Sequence, residues 1–332
     1  MNQQVDLLIG RGLSLGNISD EEAERILFTT NYYRLSGYWR YFQENPDFHN
    51  DHFKCDADLS TILELVEMDA RMRSLLLEGL SSFEIAFRSA FAYYATTMTG
   101  DPYVYLQLSA YSQSENERSA VGDSLRSKSV QSESRRERTL RKIEEELKRS
   151  KDDCIKHFSV KQEPIPMWAA VEVLCFGTLS QMFELWSDSD CKAAVARSFK
   201  GFTSWDKFQS VLHAFSVLRN ICAHHGRLWN RRVPVTPVML KQVIDKHEKR
   251  SIYNNTVWAD VIMIQFYVDS LKNNTEYSDA VARLLTQSAL YLQGIKSPYQ
   301  RPKAKNAGKE DSGAASAETN DEVTSSNRGV AG

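Results

Sequence analysis

The sequence predicts an all-α fold, a helical bundle with a helical extension at its N-terminus and a disordered tail at its C-terminus. Three observations carry that prediction. The 332 residues hold only 15 Gly and 8 Pro, too little turn chemistry for the many short strands of a sandwich or barrel. Apolar side chains recur at helical spacing, Leu75, Leu76, Leu80, Phe83, Phe87 and Phe91 among them. The composition, 42% hydrophobic and 25% charged, is that of a globular chain.

The elements follow in order. Residues 18–28 open as a helix, with Ser19 as cap, Glu22 three positions on and acids through the first turn. Residues 31–42, N-Y-Y-R-L-S-G-Y-W-R-Y-F, are half aromatic and are expected to be a hinge packed on the core. Residues 45–58 are polar and loop-like around Asn45-Pro46. Residues 59–98 read as one or two long helices, on Leu59, Ile62, Leu63, Val66, Met68 and the run above. Glu84 and Arg88, at i and i+4 within them, are expected to form an ordinary surface pair.

Residues 112–134 contain eight Ser and almost no large apolar side chain, which reads as a flexible insert. Residues 135–151 form a charged helix with a thin stripe of Leu140, Ile143 and Leu147. Residues 164–186 are apolar nearly all round, as in a central buried helix, and Gly177 marks a close approach or a break. The next helix covers 204–225, with Ser204 as cap, Asp206 in its first turn and Gly226 as its stop. Two further helices are expected at 256–272 and 277–294. One domain thus spans 1–296, and the tail, 297–332, lacks large aliphatics and reads as disordered.

Several function classes drop out. No apolar run approaches the ~18 residues that span a bilayer, and no secretory leader is visible. Cys55, Cys154, Cys175, Cys191 and Cys222 are too scattered for a metal or redox motif, so the sequence points to reduced thiols in the cytoplasm, with no metal and no cofactor. The net charge is −2, unevenly laid out. Residues 1–117 hold 8 basic against 18 acidic side chains, and residues 197–250 hold 11 against 3. A polyanion would be drawn to the second segment, which includes Arg227, Arg231, Arg232, Lys241, Lys246, Lys249 and Arg250. A merely solvated basic face is the alternative.

The helix ending at Gly226 finishes R-N-I-C-A-H-H-G-R-L-W-N-R-R, residues 219–232. Its core face is Val211, Phe215, Leu218 and Cys222. Stepping ~100° per residue puts Arg219, Asn220 and His224 away from that face, with Asn220 and His224 together and Ala223 leaving room for a phosphate or a partner helix. Imidazole exchanges protons near neutrality, and guanidinium offers a fork of donors to phosphate oxygens. Asn can orient the imidazole or hold a phosphate. Together they suit attack by an RNA 2′-hydroxyl on its own phosphodiester, without a metal. One His is too few for both acid and base, so either two copies face each other or His225 is the second, from a worse angle. In a chain with 23 Arg and 7 His this spacing alone arises by chance, and a polar helix end is the plainer account.

The wider pattern is more specific. N-Y-Y-R-L-S-G-Y-W at 31–39, P-M-W-A-A-V-E-V-L-C-F-G-T-L-S at 166–180 and L-R-N-I-C-A-H-H-G-R-L-W-N-R at 218–231 occur in the order seen in the Abi-like family, the abortive-infection proteins of D/F type. The chain resembles that family, within the HEPN class of α-helical ribonucleases. The resemblance implies a HEPN-type bundle and a metal-independent endoribonuclease leaving 2′,3′-cyclic phosphate ends. It implies Arg219 and His224 as catalytic residues with Asn220 beside them, and a homodimer in which the two motifs meet. Glu84 and Arg88 match a recurrent family E-x-x-x-R that buttresses the site. The implied role is toxin-like bacterial antiphage defence, with a small non-coding RNA as inhibitor in some relatives. Arg227, Asn230, Arg231 and Arg232 are the residues expected to hold the RNA backbone. The rival expectation is a non-catalytic RNA-binding module that sequesters a small RNA. A third is an interaction protein whose 31–42 segment seats a partner.

Overall fold

The longest element of the computed structural model is α4 (Leu59–Thr99), 41 residues and about 60 Å at 1.5 Å per residue. Asp58 starts it by accepting from the amides of Ser60 and Thr61. Its inner stripe (Ile62, Leu65, Met72, Leu76, Leu80, Phe83, Phe87 and Phe91) is buried, so the predicted periodicity holds over one unbroken helix. The structure describes residues 1–45, 50–113, 133–244 and 255–298.

Before α4 come α1 (Asn2–Gly10), α2 (Asp20–Thr30) and α3 (Tyr32–Trp39), the last running into a 3₁₀ turn at Arg40–Phe42. Ser19 caps α2 as expected, accepting from the Glu22 amide at 3.2 Å. The stretch expected to be loop at 45–58 carries a small antiparallel hairpin instead, β1 (Gln43–Asn45) with β2 (Asn50–Phe53). Gln43 and Phe53 pair across it and both are buried, which gives the polar segment one inward rung.

After α4 come α5 (Arg135–Arg149), α6 (Asp153–Lys161), α7 (Met167–Val173), α8 (Phe176–Leu185), α9 (Ser189–Arg197) and α10 (Trp205–Ala223). The short α11 (Lys241–Ile244), α12 (Val257–Lys272), α13 (Glu276–Leu285) and α14 (Ala289–Lys296) complete the described order. The charged α5 starts with a Ser134/Glu137 capping box and buries Ile143 and Leu147.

Two expected single helices are each a pair. The run 164–186 breaks at Leu174–Cys175, not at Gly177, which lies in the first turn of α8. The cause is Glu146 on α5. Its carboxylate accepts from the Cys175 amide at 2.8 Å and the Thr178 hydroxyl at 2.7 Å, capping a new helix there. The run 277–294 breaks at Thr286–Ser288, where the Ser288 hydroxyl accepts from the Tyr291 amide.

The helices of residues 1–299 share one core. Phe83 lies at its centre, with the rings of Phe199, Phe208, Phe215 and Tyr267 at 4.9–6.0 Å. At Gly79 a Cβ would fall 2.5 Å from both Ile264 and the Tyr277 hydroxyl, so glycine is what lets α12 and α13 close on α4. Among the described residues no helix is long and apolar enough to cross a membrane. The Ser-rich insert lies outside the described residues except at 112–113 and 133–134, as does the tail from 297 apart from Ser297 and Pro298. Lys246, Lys249 and Arg250 also lie outside them.

Candidate active site

The candidate motif sits where α10 ends. The helix buries Val211, Leu212, Phe215, Leu218 and Cys222, which turns Arg219 and Asn220 outward. Burial pushes the Cys222 thiol up to about 12, so it is no nucleophile at neutral pH. Helical geometry stops at Ala223, earlier than the expected residue 225. His224 is the cap residue, at φ −90° and ψ 20°. Angular steps along the helix therefore place Arg219 and Asn220 but not His224. Ser204 precedes α10 without a side-chain capping bond.

The stop is also not the expected one. His225, not Gly226, takes the left-handed conformation, with φ 55°. The amides of His225 and Gly226 donate back to the carbonyls of Cys222 (3.0 Å) and Ile221 (2.7 Å), the two bonds of a Schellman end. Gly226 is needed for room. A Cβ there would come 2.9 Å from the Ile221 carbonyl oxygen.

Arg219 meets α4. Its Nε lies 3.8 Å from Glu84 Oε2, and its Nη1 donates to Asn220 Oδ1 at 3.3 Å. Glu84 and Arg88 are not the expected surface pair. Both are buried, paired with each other, and the Arg88 guanidinium also donates to the Val171 carbonyl on α7. The i, i+4 spacing alone does not give the side of the helix, and the two residues lie on the inward stripe of α4 beside Phe83 and Phe87. The Glu84 carboxylate thus faces two guanidiniums, Arg88 and Arg219. Arg219, Glu84, Arg88 and Ala223, with Leu77, Glu78, Ser81 and Ile85, line an open groove of about 620 Å³.

His224 and His225 are exposed beyond the end of α10. Among the described residues neither imidazole makes a hydrogen bond or ring contact. Their backbone, in contrast, is tightly held. Arg34 Nη2 donates to the His225 carbonyl at 2.9 Å and Arg73 Nη1 to the Gly226 carbonyl at 3.3 Å.

The anchor of this loop is Asp69 on α4, fully buried and not singled out by the sequence reasoning. Asp69 Oδ2 accepts from the Leu228 amide and the Tyr38 hydroxyl, both at 2.7 Å. Oδ1 accepts from the Trp229 amide at 3.0 Å and the Tyr291 hydroxyl at 2.7 Å. Arg73 Nη1 lies 3.6 Å from Oδ2. Burial, and the neighbouring Asp69, push the Tyr38 phenol up, so it stays a donor. A signal was available. Asp69 and Arg73, like Glu84 and Arg88, fall at i, i+4 on the apolar stripe rather than off it.

The expected RNA-binding residues are placed unequally. Arg232 is exposed, and Arg231 is half-buried with a bond to the Arg227 carbonyl. Arg227 stacks over Tyr41 at 5.1 Å and Tyr38 at 5.9 Å. Asn230 takes φ 51°, accepts at its carbonyl from Tyr41, and donates its amide to Gly294. Among the described residues no three His, Cys, Asp or Glu gather as metal ligands would.

A family model described as Abi-like protein matches residues 25–230, which takes in α3, α4 and the whole of the loop up to Asn230. Searches of curated proteins and of solved structures returned no match.

Proposed function

The chain belongs to the Abi-like protein family, the abortive-infection proteins, and we propose that it is a metal-independent HEPN-type endoribonuclease serving antiphage defence in the cytoplasm. The observation that carries this reading is the pairing at the groove. Arg219 is held at its rim by the buried Glu84–Arg88 pair, and exposed His224 follows at the end of the same helix.

In the proposed reaction an RNA 2′-oxygen attacks the adjacent phosphorus. The O2′–P bond forms, the P–O5′ bond breaks, and a 2′,3′-cyclic phosphate and a 5′-hydroxyl result. His224 takes or supplies the proton, and Arg219 steadies the charge building on the phosphoryl oxygens. Asn220 accepts from the Arg219 guanidinium and so sits beside the phosphate that Arg219 would hold. Among the described residues neither imidazole has an orienting partner, which favours a homodimer whose second motif completes the site. Single-stranded or looped RNA is the substrate class, because only unstacked nucleotides reach in-line geometry easily. A small non-coding RNA is the proposed inhibitor.

Wild-type protein incubated with single-stranded RNA in EDTA is expected to give products with cyclic phosphate ends. His224→Ala and Arg219→Ala are each expected to lower the rate by at least about 100-fold with the fold intact by circular dichroism. Full cleavage by His224→Ala removes the assignment. The unpartnered imidazoles also suit a second reading, a module that binds RNA without cutting it. Tight binding of RNA left intact by the wild type would favour that one.

A further inference from the structure

The segment 31–42 is only partly a packing hinge. Leu35, Tyr38 and Trp39 are buried, whereas Tyr33 is 85% exposed, the most exposed large hydrophobic side chain among the described residues. Its position is set locally, since Asn31 Oδ1 accepts from the Tyr33 amide at 2.9 Å and fixes the first turn of α3. The ring meets Tyr32 edge-on at 6.0 Å and otherwise stands in water.

The charge of this segment runs against its surroundings. Residues 1–117 carry a balance of −10, yet residues 31–42 hold Arg34 and Arg40 and no acid. The basic loop lies against that segment. Arg34 reaches the His225 carbonyl, a Cβ on Gly37 would touch Arg227 at 3.7 Å, and Tyr41 both stacks under Arg227 and holds Asn230. Among the described residues none of Arg34, Arg227 and Arg231 has a carboxylate within ion-pair distance. The half-buried guanidiniums of Arg34, Arg227 and Arg231, with the exposed Tyr33 phenol at their edge, therefore lie beside the His224–His225 turn.

We propose that α3 and the 225–231 loop together hold single-stranded RNA, with backbone phosphates on Arg34, Arg227 and Arg231 and one unstacked base against the Tyr33 ring. Guanidinium forks match phosphate oxygens, and every base has a face that a phenol can stack on, so the contact tolerates sequence and rejects a closed duplex. The inference rests on the nuclease reading for its ligand and uses none of its chemistry.

The probe is a labelled 2′-O-methyl oligonucleotide of mixed sequence, about 16 nucleotides long, which lacks the attacking hydroxyl and cannot be cut. Binding is followed by fluorescence anisotropy at two salt concentrations. The wild type is expected to bind, Tyr33→Ala to bind about tenfold more weakly, and Tyr33→Phe to bind as the wild type does. Arg34→Gln is expected to flatten the salt dependence. Phe28→Ala, which removes another exposed ring, on α2, is expected to change nothing. A Tyr33→Ala protein that binds the probe like the wild type overturns the surface, even if it still cleaves RNA and the nuclease reading stands. Tyr33-dependent binding by a protein that cuts no RNA keeps the surface and removes the nuclease. Unchanged RNA affinity with altered sedimentation would make Tyr33 a contact between protomers and overturn the proposal.

Discussion

Four hydrogen-bond donors, Tyr38, Tyr291 and the amides of Leu228 and Trp229, converge on Asp69, with the Arg73 guanidinium alongside as countercharge. A carboxylate can serve them all because it is acceptor-only with about four lone-pair sites. An amide cannot, since its NH2 would face donors and Arg73 would lose its countercharge. Asp69→Asn is therefore expected to cost about 3–5 kcal/mol in urea unfolding, the range for breaking a buried ion pair. A loss under about 1 kcal/mol would mean that the loop finds its place without this anchor. The outward placement of Arg219 and Asn220 was legible because polar residues off an apolar stripe stand out, whereas His224 lies past the last helical residue, where that angle no longer applies. Asp69 was not legible, since a lone acid in a helix reads as solvated unless its angle is checked. Glu84 and Arg88 were found by spacing but assigned to the wrong side of the helix for the same reason.

The end of α10 shows how far periodicity carries an element. It locates the helix to within two residues, yet steps of ~100° lose their meaning past Ala223, where the closing bonds of His225 and Gly226 replace the i→i−4 pattern. The stop rule favoured Gly226, but the left-handed residue is His225. An L-residue there gives up about 1 kcal/mol. Accordingly, His225→Gly is expected to stabilise the protein by about that amount in thermal unfolding. Gly226→Ala is expected to destabilise it by about 1–3 kcal/mol, because the added carbon presses on the Ile221 carbonyl. If His224 is the catalytic imidazole, His225→Gly also keeps RNA cleavage. The breaks at 174–175 and 286–288 escaped the sequence because caps decide them. The first cap, Glu146, comes from α5, far off in sequence.

The fold class was readable because sparse Gly and Pro and long apolar periods are global properties, insensitive to single contacts. The small hairpin was not, since two short rungs leave almost no pattern. The groove at Arg219 is flanked by Ile85, 64% exposed in the middle of α4, with Ser81 and Ala223 beside it. If the site is completed by a second copy, the protein is expected to sediment as a dimer. Ile85→Glu is then expected to give a folded monomer that no longer cuts RNA. A monomeric wild type that cleaves at full rate would refute the composite site.

Asp69 also sets a timetable. Its anchoring set includes Tyr291, more than sixty positions downstream of His224. On the ribosome, Arg219 and His224 leave the exit tunnel well before that phenol has been translated. An unfinished polypeptide, including one truncated ahead of Tyr291, thus carries Arg219 and His224 without the full anchor of the loop that follows them. A cell making this protein would meet the fully anchored loop only after Tyr291 has been translated.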